Sequence, residues 1–301
     1  ALPYWVGYIG YGMRLTQEQY QRQSPAFISL PDFWLTAYRR LVRFDHHNET
    51  IEEFSWDSTT AYDWNIPPPT QPTVSVHTLQ SNMTRADYES IVNKTIEQIA
   101  AGNFYQANIT RKFFGSFNTN PNAWDIFSRL CDISPAPYSA FIQHGTTAIL
   151  SSSPECFLTL NADGTIIARP IKGSAQRGAT ADEDAYLRNQ LAASEKNIAE
   201  NLMIVDLMRN DLARVSAPAS VSVSERAALY SYATIHHLIS TITAKRLPNT
   251  SAYDVLSAAF PPGSMTGAPK IAAIRWCEQH EPNERGVYSG VIGWFGAQNT
   301  C

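Results

Sequence analysis

Phe157-Leu158-Thr159-Leu160-Asn161-Ala162-Asp163-Gly164-Thr165-Ile166-Ile167-Ala168 holds two short apolar and β-branched runs on either side of a turn signal. Runs of that composition extend readily, and Asn, Asp and Gly accept the backbone angles of a tight reversal, so the stretch predicts an antiparallel hairpin. Working outward, residues 138–143 and 148–151 read as further strands, and residues 104–113 alternate enough to form another. Residues 4–11 are strand-like and 74–77 extended. Helices are announced by their ends. Thr84 is an N-cap, followed by Tyr88, Ile91, Val92, Thr95 and Ile99 at helical spacing and by Gly102 as a stop. A long helix covers residues 197–212, and another follows Pro269, because proline suits the first helical position. Strands that meander beside helices, without strict alternation, predict an α+β fold with a largely antiparallel sheet. The run Pro67-Pro68-Pro69-Thr70-Gln71-Pro72 reads as a stiff connector between a region 1–72 and a main region 73–301.

Composition narrows the function classes. The 301 residues are 44% hydrophobic, enough for a sizeable core, and 23 basic residues against 27 acidic ones give a net charge of −4. No basic stripe points to nucleic acid or an anionic membrane, and no apolar run is long enough to span a bilayer. Cys131, Cys156, Cys277 and Cys301 are widely spaced, which predicts free thiols. With no secretory signal at the start given, a soluble cytoplasmic protein is expected.

Four stretches can carry chemistry. In Arg169-Pro170-Ile171-Lys172-Gly173-Ser174 a lysine follows a strand; partial burial there lowers its pKa and makes it a nucleophile, although the hexapeptide alone describes a solvated loop lysine first. Ser151-Ser152-Ser153-Pro154-Glu155 places an acid beside small side chains, as a general acid or as an exposed turn glutamate. In the long helix Glu200 shares a face with Met203, Ile204 and Leu207, an apolar stripe expected to point into the core. A carboxylate there needs a partner, a proton or a hard cation such as Mg²⁺. Residues 260–270, with Gly263, Ser264 and Gly267, lead into a helix and read either as an anion cradle or as an ordinary helix start. His236 and His237 are adjacent, so at most one faces a site, and a satisfied core histidine is the default.

Read in order, these pieces resemble the chorismate-utilising enzymes, most closely their aminodeoxychorismate synthase catalytic components. Gly102-Asn103-Phe104-Tyr105-Gln106-Ala107-Asn108, Ser152-Ser153-Pro154-Glu155, Pro170-Ile171-Lys172-Gly173, residues 199–207, Arg209-Asn210-Asp211, His236-His237-Leu238, Gly267-Ala268-Pro269-Lys270 and Tyr288-Ser289-Gly290-Val291-Ile292-Gly293 carry the resemblance. It spans residues 5–295 and implies a two-lobed α/β sandwich with large antiparallel sheets. Relatives that add water to chorismate have lysine where this chain has Gln106, and anthranilate synthases have alanine where it has Lys172. The pairing seen here implies amination of chorismate at C4, toward para-aminobenzoate and folate.

The implied mechanism uses Lys172 as nucleophile on C2, Glu155 as general acid and Mg²⁺ held by Glu200. The resemblance further implies that Gln106, His237, Gly263, Ser264, Tyr288 and Gly290 line the chorismate site, and that a glutamine amidotransferase partner supplies ammonia. The alternatives are an anthranilate synthase component I and a non-catalytic paralogue that binds chorismate or the partner. The chain departs from the pattern at Cys156, Asn197, Ile198 and Ala272. It also stops at Cys301, ahead of the segment that would bring a second metal-binding glutamate, so its C-terminus is expected to be incomplete.

Overall fold

The chain is described from a computed structural model over residues 3–14, 24–55, 76–119 and 121–301. The Pro-rich connector and the boundary drawn at it lie outside the described residues. The first part holds β1 (Pro3–Ile9), β2 (Phe33–Thr36), β3 (Arg40–Asp45), β4 (Thr50–Ser55) and β5 (Val76–Ser81). Next come α1 (Arg85–Ala100), β6 (Gln106–Ala107), β7 (Phe113–Phe117), α2 (Ala123–Ile133), β8 (Tyr138–His144) and β9 (Thr147–Ser153). The sheet centre is β10 (Cys156–Leu160), β11 (Thr165–Arg169) and β12 (Ile171–Gln176), then α3 (Ala181–Ala192), α4 (Glu195–Ala213), β13 (Ser222–Ser231) and β14 (Ile235–Lys245). Last are α5 (Ala252–Ala259), α6 (Gly263–Thr266), β15 (Gly267–Ala268), α7 (Lys270–His280) and β16 (Val291–Gly296). The pairings among these strands are antiparallel, and the class is α+β as the hairpin foretold. No helix among the described residues is long and apolar enough to cross a membrane.

The predicted hairpin is β10–β11. Gly164 donates its N–H to Asn161 O, and the Asp163 carboxylate takes the Thr165 N–H at 2.9 Å. β11 then continues into β12 through Pro170, and the two run end to end along one edge of β14. Proline has no N–H to offer a ladder, but its carbonyl accepts from Ser240 N at 3.2 Å, so the joint costs one bond only. β13 lies along the other edge of β14. Against this five-stranded sheet α4 packs Val205, Met208 and Leu212 onto Ile166, Ala168, Ile242 and Ala244, and α5 closes the core with Ala252, Val255 and Ala259. Each large side chain buried there is worth roughly 1.5–3 kcal/mol.

Three expectations change. Residues 104–113 are not one strand: only Gln106 and Ala107 pair, with β15, and β7 begins at Phe113. Between them the Thr110 N–H goes to the Glu281 side chain at 2.9 Å, the Lys112 N–H to the Asn82 side chain at 2.8 Å and the Asn108 N–H to Thr266 O at 3.0 Å, so no continuous ladder forms. The core stripe of α4 is Asn201, Ile204, Val205, Met208 and Leu212, one residue along from the one expected. Glu200 therefore sits at the edge of the buried face, its side chain 34% exposed. Pro269 occupies the N-cap of α7, and the helix starts at Lys270.

Candidate active site

Two segments from opposite parts of the molecule meet at Lys172. The first is β12, which is bent beside it: Gly173 has φ +93°, and a Cβ there would meet the Asn197 side chain of α4 at 2.9 Å, so only glycine lets sheet and helix approach so closely. The second is the α6 turn. Gly263 lies against Leu207 of α4, whose Cδ2 would stand 2.3 Å from a Cβ, and this contact holds the turn over the helix face that carries Glu200.

On that turn Ser264 serves both ionisable groups. Its carbonyl accepts from Lys172 Nζ at 3.0 Å, and its hydroxyl bonds the Glu155 carboxyl, which also takes the Ile171 N–H. Desolvation dominates both titrations. It lowers the Lys172 pKa against the attraction of Glu155 and Glu200, and it raises the Glu155 pKa against Ser264, Lys172 and Ile171. The two shifts act in concert, favouring a neutral amine beside a protonated carboxyl. That is the pair a nucleophile and an acid require.

The other expected residues surround this pair at different distances. Gln106, on β6, pairs with Ala268 next to the α6 turn, and its Oε1 is buried without a partner among the described residues. A buried amide oxygen left so is costly unless a ligand supplies the donor. His237 receives or gives a bond at Ser174 Oγ, 2.8 Å from Nδ1, and burial holds its pKa below the usual value, so it is neutral at pH 7. His236 is the satisfied core histidine, fixed by Ser231 and by Asp184 at 3.0 Å. Tyr288 is 55% exposed, and Gly290 is held by a bond from its N–H to Val287 O; they flank Ser289 at the start of β16, not within it. Glu200 has Lys196 at 4.0 Å. Among the described residues no three His, Cys, Asp or Glu side chains converge as a metal cage. Among the described residues Glu200 is the carboxylate the sequence offers to a hard cation, and a single carboxylate is compatible with Mg²⁺ held through few protein ligands and substrate oxygens.

The sequence profile of the chorismate binding enzymes matches residues 1–301. The chain belongs to the chorismate binding enzymes. It is 38% identical over 294 residues to aminodeoxychorismate synthase component 1 of Klebsiella aerogenes, covering 96% of this chain and 64% of that protein. Anthranilate synthase component 1 of Mycobacterium bovis is 32% identical over 320 residues, covering 96% and 61%. The crystal structure of anthranilate synthase component I from Streptococcus pneumoniae superposes with a TM-score of 0.85 at 28% identity, over 98% of this chain and 69% of that one. The chain spans under two thirds of the length of these curated relatives.

In this chorismate binding enzyme two residues near the site were given no role by the sequence reading. Asn108 donates to the same Ser264 carbonyl that Lys172 uses. Arg285 reaches Asn108 O and Met265 O, both at 2.7 Å. The available signal for Asn108 was its place two residues after Gln106; for Arg285 there was only a charged residue next to a glycine, which marks most surface turns equally well.

Proposed function

We propose that the protein containing this chain aminates chorismate at C4 to give 4-amino-4-deoxychorismate, with ammonia from a glutamine amidotransferase partner. The observation that supports this reading is the meeting of Lys172 and Glu155 on Ser264, with desolvation driving the one toward its amine and the other toward its acid. Similarity to proteins named aminodeoxychorismate synthase component 1 supports the same product.

In the first step Lys172 Nζ forms a bond to C2 of chorismate, the two ring double bonds shift, and the C4–O bond breaks. Glu155 gives the departing hydroxyl its proton, so water leaves. Ammonia then bonds to C4, the double bonds shift back, and Lys172 departs from C2 with the electron pair of the C–N bond. Glu155 takes up the proton released by the new C4 nitrogen. Two displacements deliver nitrogen with retained configuration. Gln106, unlike a lysine at that place, has no basic nitrogen with which to activate water at C2. Mg²⁺ bound at Glu200 would offset the negative charge of the substrate carboxylates.

The test uses the full natural chain with chorismate, Mg²⁺ and ammonium. 4-Amino-4-deoxychorismate is the expected product, and anthranilate with pyruvate as main products would overturn the reading. Without ammonia a Lys172 adduct should accumulate in intact-protein mass spectrometry. Lys172→Ala should abolish it and slow C4 amination by about a thousandfold or more.

A further inference from the structure

Arg285 is 4% exposed and uses all five of its N–H donors. Nε and Nη2 hold Glu281 at 2.9 and 2.6 Å in a bidentate pair. Nη1 reaches Met265 O at 2.7 Å and Ser289 Oγ at 3.2 Å, and Nη2 reaches Asn108 O at 2.7 Å. The guanidinium also lies 4.8 Å from the centre of the Tyr11 ring. One side chain therefore ties together the segment that carries Gln106, the turn that carries Ser264 and the turn that carries Tyr288 and Gly290. A planar fork with fixed donor directions can do this, whereas a lysine with three donors on one atom cannot.

The Ser264 carbonyl is the point where these ties reach the chemistry. It accepts from the Asn108 side chain and from Lys172 Nζ. Arg285 grips the backbone of Asn108 on one side of that carbonyl and of Met265 on the other, so the direction of the acceptor facing Lys172 is set by a group that touches neither Lys172 nor Glu155. We propose that Arg285 is a positioning residue, which aims the Ser264 carbonyl and through it the amine of Lys172. The inference rests on the reading of Lys172 as nucleophile.

A double-variant cycle in the full natural chain tests it, with Arg285→Lys, Asn108→Ala and the two combined. The rate read is formation of the Lys172 adduct at saturating chorismate, with Mg²⁺ and without ammonia. Misplacement of a reacting group by an ångström can cost about a hundredfold, so Arg285→Lys should slow the adduct by about tenfold to a hundredfold. Because both side chains act on one carbonyl, the double variant should be little slower than the slower single one. Independent, multiplying losses, or an Arg285→Lys rate within about twofold of the parent, would overturn the proposal.

Amide hydrogen exchange supplies the second measurement. Asn108, Met265 and Gly267 should exchange faster in Arg285→Lys while β14 is unchanged. Equal acceleration in β14 would mark Arg285 as a general fold residue and sink the idea. If the parent protein forms no adduct, the nucleophile reading itself fails. The exchange data then decide alone whether Arg285 braces this turn, and unchanged exchange at the three amides answers no.

Discussion

The two sides of the candidate site are built from opposite materials. Lys172 stands on the five-stranded sheet, sealed to α4 and α5 by hydrocarbon: Leu160, Ile166, Leu212 and Ile242 are all at or below 1% exposure. Ser264 stands on a turn tied to α7, where buried ion pairs sit beside the apolar Ala273, Ile274 and Cys277. Arg14 pairs with Glu278, Arg285 with Glu281, and the Tyr11 ring lies beneath both guanidinium groups. Hydrocarbon packing is non-directional and tolerates small adjustments, whereas hydrogen-bonded ion pairs hold fixed directions and leave a large penalty when one member is lost. The sheet thus gives Lys172 a dry and rigid base, and the polar side gives it an acceptor of defined direction.

The largest difference between the sides should appear when single partners are removed. Arg14→Met takes the guanidinium away from the buried Glu278 carboxylate, which should cost about 3–5 kcal/mol in chemical denaturation. Replacing Glu278 by Leu in the same chain should recover most of that loss. A mild Arg14→Met effect, or no recovery in the double variant, would erase the distinction. On the apolar side Leu212→Ala should cost about 2–5 kcal/mol through lost transfer energy and a cavity, with no rescue from any charge change. Its rate of adduct formation should stay at the parent value, because Leu212 lies on the core face of α4 and not on the Glu200 edge.

A smaller effect reports on the seam itself. Desolvation depresses the folded pKa of Lys172, so folding is disfavoured when the amine must be charged. The native contribution of Lys172 is accordingly at its best above the ordinary lysine pKa and is lost as pH falls through the depressed value. Lys172→Met removes that dependence. Its denaturation midpoint should exceed the parent's at pH 7, and the gap should narrow as the pH approaches 10.5. A gap that is constant with pH would mean that the Lys172 ammonium is well solvated.

The apolar side was far more legible in the sequence than the polar one. The 157–168 hairpin, the 197–212 helix and the Thr84 cap follow from patterns a few residues long, because local geometry decides them. The 104–113 segment misled because its alternation is real, but its partners are Glu281 and Asn82 side chains far along the chain. Glu200 was placed on the right helix with the wrong face inward. Residues 200, 203 and 207 line the edge toward α6, and the polar Asn201, which starts the true core stripe, hid it. α3 has only Leu191 buried, so it shows no apolar stripe to read. Arg285 depends on four partners gathered from three segments, and no local pattern encodes such a meeting.

β14 sets two imidazoles side by side in the chain and on opposite faces of the sheet, one locked to Asp184 and the other bonded to Ser174. A one-residue slip of β14 against its neighbouring strands would exchange them while leaving two histidines in place. The strand would then turn a residue meant for an acidic partner toward Ser174, and composition alone would never reveal the fault. Spacing along this strand is therefore as much a part of the enzyme's inheritance as the side chains themselves, and length changes there should be purged even where substitutions survive.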